Sequence, residues 1–120
     1  MSRARETYFC LRLVEYTSIP LAFCIMLYLL SGYGIVSPIF RLIGLTYHVS
    51  IKLHTLPLLR FVTALLTILH LYGGVVLILN RHVRSEKINE IIKLSVLAIL
   101  LIFLFLIVLS ELVILFRLFS

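Results

Sequence analysis

The residue whose type and setting point most directly to chemistry is His70, which lies inside a long apolar stretch. At about 100° per residue, Arg60, Thr63, Thr67, His70 and Gly74 fall on one face of a helix, with Gly73 just beside it. The opposite faces are Leu, Ile, Val and Phe. A polar stripe on such a helix points into protein rather than lipid. Its small residues let another backbone, or a flat cofactor, come close. An imidazole buried there needs a partner for both nitrogens. Three roles compete for His70. It can be a structural hydrogen-bonding residue, a member of a proton path, or an axial ligand of a haem whose second nitrogen donates to a carbonyl or hydroxyl.

The other candidates are weaker. His54 is the alternative metal ligand. It lies sixteen residues before His70, about 24 Å along one straight helix, so the two cannot share one iron unless the helix breaks between them. His48 lies in the same irregular connection as His54, and His82 reads as a solvated residue between Arg81 and Arg84. Glu111 is the one ionisable residue deep in the last apolar segment. Arg60, Arg41 and Arg117 are available to pair with it. Cys10 and Cys24 have neither metal-ligand nor disulfide spacing and read as small buried hydrophobes. There is no nucleophile–base pair, no paired carboxylates, no phosphate-binding glycine loop and no dinucleotide fingerprint. The chain is expected to be non-catalytic by itself.

These residues must be positioned by membrane helices. The 120 residues are 62% hydrophobic and only 13% charged. A chain this small cannot hide that much apolar surface from water, so a soluble domain is excluded, and disorder with it. A spanning helix needs roughly 20 apolar residues. Three candidates are present, over about 8–31, 56–80 and 91–119, and the fold is expected to be all-α in a single membrane domain, 1–120. Arg3 and Arg5 before the first span resemble a signal peptide, but the run is too long and no cleavage site follows, so it is expected to persist. Ser31-Gly32-Tyr33-Gly34 is expected to end the first helix. Thr55 is expected to cap the second, with Pro57 in its first turn. The semi-apolar segment 35–54 reads as an interfacial helix.

The net charge of +6 sits between apolar blocks rather than on one basic face, which argues for membrane lipid as a partner and against nucleic acid. Arg3, Arg5, Arg12, Arg81, Arg84, Lys87 and Lys93 share one side of a three-span topology. Arg41, Lys52, Arg60 and Arg117 share the other. The bias places the N-terminus in the cytoplasm and the chain in the cell membrane.

The stretch 69–82, Leu-His-Leu-Tyr-Gly-Gly-Val-Val-Leu-Ile-Leu-Asn-Arg-His, resembles the second helix of the small membrane-anchor subunits of succinate dehydrogenase and fumarate reductase. In that family a His is followed four residues later by Gly, and a polar pair, often Asp-Tyr, comes at the cytoplasmic end. His70 and Gly74 match. Arg81-His82 stand where Asp-Tyr is usual, so the quinone-binding tyrosine is missing. The resemblance covers about 60–110. It implies a haem b with His70 as one axial ligand and a second membrane-anchor subunit giving the other. It also implies iron–sulfur and flavoprotein subunits docked on the cytoplasmic face, and electron transfer to a quinone there. Arg81, His82 and Arg84 would line the quinone pocket or the docking surface. Thr63, Thr67, Gly73 and Gly74 would face the cofactor.

The chain is also similar to di-haem b-type cytochromes of hydrogenase-like complexes, where Ser-Gly ends one helix and histidines open and punctuate the next. There, both His54 and His70 would bind haem. A structural accessory subunit, whose stripe binds a partner helix, is a third possibility.

Overall fold

The computed structural model describes residues 2–119. In chain order it contains α1 (Arg3–Val36), a 3₁₀ turn (Pro38–Ile43), α2 (Tyr47–His54), α3 (Pro57–His82) and α4 (Glu86–Phe119). There is no strand among the described residues. α1, α3 and α4 are long and apolar enough to cross a membrane. The chain is an all-α, multi-pass membrane protein with three spanning helices.

The helices run further than the apolar stretches alone. α1 begins at Arg3 because the Ser2 hydroxyl accepts a hydrogen bond from the Arg5 amide at 3.3 Å. Its end corrects the expectation from sequence. Ser31-Gly32-Tyr33-Gly34 is helical, and α1 stops only at Val36, before Ser37-Pro38. The glycines serve packing instead. A Cβ on Gly34 would collide with the Ser50 side chain, so only glycine lets α2 lie this close. Thr55 does not cap α3 either. It closes α2, where its hydroxyl donates to the Ile51 carbonyl at 2.8 Å. Leu56 is the N-cap residue of α3 and Pro57 its first residue, where the missing N–H costs nothing. Segment 35–54 resolves into the end of α1, the 3₁₀ turn and α2.

α3 is central. It packs against α1 on one side and α4 on the other, while α2 folds back on the far end of α1. The principal extents are 53 × 37 × 19 Å, so the helices form a thin layer rather than a closed bundle. The buried apolar side chains are few: Cys10, Leu21, Cys24, Leu59, Val76 and Leu79. In hydrocarbon there is no water to drive further burial, so close contact and polar pairing hold the helices together.

Two polar sets pin the layer. At one end Asn80 Nδ2 donates to Glu6 Oε1 at 3.1 Å and to Thr7 Oγ1 at 3.0 Å. Asn89 donates to Asn80 Oδ1 at 3.2 Å, and the buried Lys93 ammonium bonds Glu6. This joins α1, α3 and α4. At the other end Arg60 and Glu111 form a two-pronged ion pair, Nε–Oε1 at 2.5 Å and Nη2–Oε2 at 2.8 Å. Asn80 and Arg60 are twenty residues apart on α3, about 30 Å, which matches the thickness of a bilayer's hydrocarbon core.

α1 and α3 approach closely at Gly73, where a Cβ would stand 3.0 Å from Val14 Cγ2 and 3.2 Å from the Cys10 carbonyl. At Gly74 nothing lies within 4 Å. Gly73→Leu is therefore expected to destabilise the purified chain by about 1–3 kcal/mol through overpacking, and Gly74→Ala not at all. Thermal unfolding in detergent micelles checks the contrast.

Candidate functional site

His70 lies near the middle of α3, thirteen residues from its first residue and twelve from its last. Its Nδ1 is 2.9 Å from the hydroxyl of Thr17 on α1. Thr17 is buried, and its hydroxyl also lies 2.7 Å from the Leu13 carbonyl of its own helix. One arrangement satisfies both contacts: the Thr17 hydroxyl donates to the Leu13 carbonyl and accepts from an Nδ1–H of His70. In that tautomer Nε2, which bonds no other described residue, keeps its lone pair. A metal-binding imidazole is oriented in the same way, by the hydrogen bond its other nitrogen donates.

The same arrangement occurs a second time. His54, the last residue of α2, has its Nδ1 2.9 Å from the hydroxyl of Ser31, which is fully buried on α1. Ser31 Oγ lies 3.1 Å from the Tyr28 carbonyl, so the same pair of contacts surrounds this hydroxyl. The Tyr28 ring meets His54 edge-on, with centroids 5.2 Å apart. Thr17 and Ser31 are fourteen residues apart, just under four helical turns, so both hydroxyls lie on one face of α1, about 21 Å apart along it. Metal–imidazole bonds are about 2 Å long. The break at Thr55-Leu56 therefore does not bring the two rings to one iron, and each belongs to its own depth.

A glycine adjoins the ring of His54: a Cβ on Gly32 would be 3.7 Å from His54 Cε1. Gly74, one turn beyond His70 in sequence, opens onto free space. Gly73 does not: it is closed by Cys10, Leu13 and Val14 of α1.

The polar stripe of α3 does not act as one surface. His70 turns to α1, Arg60 turns to Glu111 on α4, and Thr63 and Thr67 donate to the carbonyls of Leu59 and Thr63 one turn back, at 2.6 and 2.7 Å. Glu111 is accordingly half of an ion pair. Arg81, His82 and Arg84 are exposed at the end of α3 and in the short connection after it. Arg81 borders a cavity of about 370 Å³ lined also by Thr7, Leu11, Leu77 and Asn80. His48 is exposed on α2, its ring against Tyr47. Cys10 and Cys24 are free and buried.

Sequence reasoning missed Thr17 and Ser31. Their signal was present as two hydroxyls on one face of an apolar helix, repeated after fourteen residues. It also missed the set formed by Glu6, Asn80, Asn89 and Lys93.

No cluster of three or more His, Cys, Asp or Glu residues able to hold a metal ion occurs among the described residues. A haem needs only one ligand from a chain, because the porphyrin supplies the other nitrogens. Comparison with protein-family models, curated proteins and solved structures gave no match.

Replacing Thr17 with the similarly shaped Val leaves His70 Nδ1 without its hydrogen-bond partner. Thr17→Val is expected to cost about 1–3 kcal/mol of stability, read as a lower unfolding temperature in detergent. Thr67→Val, whose hydroxyl serves only its own helix, is expected to leave it nearly unchanged.

Proposed function

We propose that this chain is a non-catalytic membrane subunit of an electron-transfer complex, holding a haem b through His70 and serving electron transfer to a quinone. The observation that carries the reading is the His70–Thr17 bond at 2.9 Å, which orients the imidazole through Nδ1 in the middle of a membrane helix and leaves Nε2 without a partner among the described residues. Gly74 supports it, since the space beside that turn admits a flat macrocycle. When bound, haem supplies one-electron redox chemistry at its iron.

The rest of the chain fits an anchor's role. The thin layer exposes apolar faces on both sides, which a companion membrane subunit would cover while providing the second axial ligand. The end that carries Arg81, His82 and Arg84 is the end pinned by Glu6 and Lys93, taken here as cytoplasmic from the charge bias. Iron–sulfur and flavoprotein subunits of the succinate dehydrogenase and fumarate reductase type would dock there. The cavity beside Arg81 has a guanidinium and an amide at its rim and Leu11 and Leu77 in its wall, a combination suited to a quinone ring with its carbonyl oxygens.

The test is a reduced-minus-oxidised visible spectrum of the complex purified through a tag on this chain. The wild type is expected to show a b-type haem band, and His70→Ala to lose it while the chain still inserts. A complex with no haem band, or a band unchanged in His70→Ala, makes His70 a structural residue and overturns the reading.

A further inference from the structure

We propose that the outer face of α1, around Arg12 and Glu15, seats a spanning helix from another chain, and that this helix meets the pair with uncharged hydrogen-bonding side chains. The proposal stands apart from the reading of His70, and haem is not among its readouts.

The register of α1 against α3 sets the depth of this face. Asn80 bonds Thr7, Gly73 meets Val14, and His70 bonds Thr17. The distance from Asn80 to Arg60 matches the hydrocarbon core, so Thr7 marks its edge on α1. Arg12 and Glu15 lie five and eight residues further along, about 8 and 12 Å inside. Glu15 thus falls between the levels of Gly73 and His70. At about 100° per residue, Tyr8, Arg12, Glu15 and Ile19 share an arc of about 60°. That arc is turned away from Cys10, Val14 and Thr17, which meet α3.

Lipid is a poor neighbour for this face. The side chains of Arg12 and Glu15 are 51% and 52% exposed, and ionisable side chains at such a depth almost always face protein or a water-filled cavity. Arg12 Nη1 donates to Glu15 Oε2 at 3.1 Å, and its Nε donates to the Tyr8 hydroxyl at 3.3 Å. The guanidinium also lies over the Tyr8 ring, 5.5 Å from its centre. Snorkelling does not take this group out of the hydrocarbon. The Glu15 side chain is too short to reach the headgroups, and Arg12 is tied to it.

The bonding left open says what the partner carries. Arg12 Nη2 and Glu15 Oε1 make no hydrogen bond to a described residue. The guanidinium needs acceptors and the carboxylate needs donors. The pair is neutral as a whole, so a lone charge on the partner would be an excess charge in hydrocarbon. Ser, Thr, Asn or Gln on a spanning helix supplies both functions. A second copy of this chain does not fit. Copies in one membrane share an orientation, so a two-fold axis along the membrane normal would set Arg12 against Arg12 and Glu15 against Glu15. Beyond the pair, Ile19, Ala22 and Met26 continue the exposed face and offer the apolar remainder of the contact.

The experiment replaces Ile19 with the photo-crosslinking residue p-benzoylphenylalanine in the full chain, in native membranes. Illumination is expected to join it to a different membrane protein. Mass spectrometry is expected to map the adduct to an apolar span that carries Ser, Thr, Asn or Gln. The double variant Arg12→Leu/Glu15→Leu removes the pair and adds only apolar surface, so the chain still inserts. Its adduct yield is expected to fall about tenfold, the loss of a few interhelical hydrogen bonds. An adduct with a second copy, adducts with lipid alone, or a yield unchanged in the double variant overturns the proposal. So does labelling of Ile19→Cys by a membrane-impermeant maleimide in the intact assembly, which would make this face the wall of an aqueous path. Should the double variant not accumulate, the mapped adduct decides: a span with those polar residues supports the proposal, and a wholly apolar one overturns it.

Discussion

An imidazole inside hydrocarbon must find a partner for its polar nitrogens, because no water is there to supply one. In this chain Nδ1 of His70 is served by Thr17, and toward the end of the layer Nδ1 of His54 is served by Ser31. Both hydroxyls stand on the same face of α1, and each also lies within hydrogen-bond reach of an α1 carbonyl. A hydroxyl that donates to that carbonyl accepts from the ring, which leaves Nε2 with its lone pair. The packing of α1 against α2 and α3 is what makes this possible. Gly73 and Gly34 remove the side chains that would hold those helices apart. The side chains that carry chemistry and those that allow close approach thus belong to one seam.

The rest of the fold keeps that seam in register. At one end the amides of Asn80 and Asn89 and the Glu6–Lys93 pair tie all three spanning helices together. At the other, Arg60 and Glu111 tie α3 to α4. Half-buried pairs of this kind add little net stability, because the desolvation of both charges offsets their attraction. Their value is positional: sliding α3 by one residue would break the Asn80 bonds to α1 or the Arg60–Glu111 pair with α4. α4 otherwise presents Leu, Ile, Phe and Val nearly all round, and most of that surface is open. A layer only 19 Å thick has no interior of its own. For the proposed haem site, lipid or a companion helix would supply the other walls.

Much of the architecture was legible from composition and run length. Three spans, Pro57 in the first turn of its helix, and a short connection before the last span follow from rules that depend on one helix at a time. The failures lie where tertiary contact decides. Ser31-Gly32-Tyr33-Gly34 reads as a terminator, yet it is helical because α2 packs on Gly34 and His54 bonds Ser31. Thr55 has the chemistry of a cap for α3, but it serves the helix before it. At the candidate site, His70 stood out because it is a polar residue in an apolar run. Its partner did not, since a threonine in a membrane helix usually bonds only its own backbone. The α3 stripe was correctly seen as polar but not as divided: Arg60 and His70 lie on one side of the helix in projection, yet their side chains reach different neighbours. Glu6 and Lys93 are 87 positions apart, a pairing that no local pattern reveals.

The most direct test of the proposal that His70 ligates a haem iron is the electron paramagnetic resonance spectrum of the oxidised, intact complex that contains this chain. The account predicts low-spin ferric haem with nitrogen axial ligation, its nitrogen couplings altered when the histidines are labelled with ¹⁵N. A complex that contains this chain fully assembled and shows no haem signal would contradict it, leaving Thr17–His70 and Ser31–His54 as hydrogen bonds that only hold helices together.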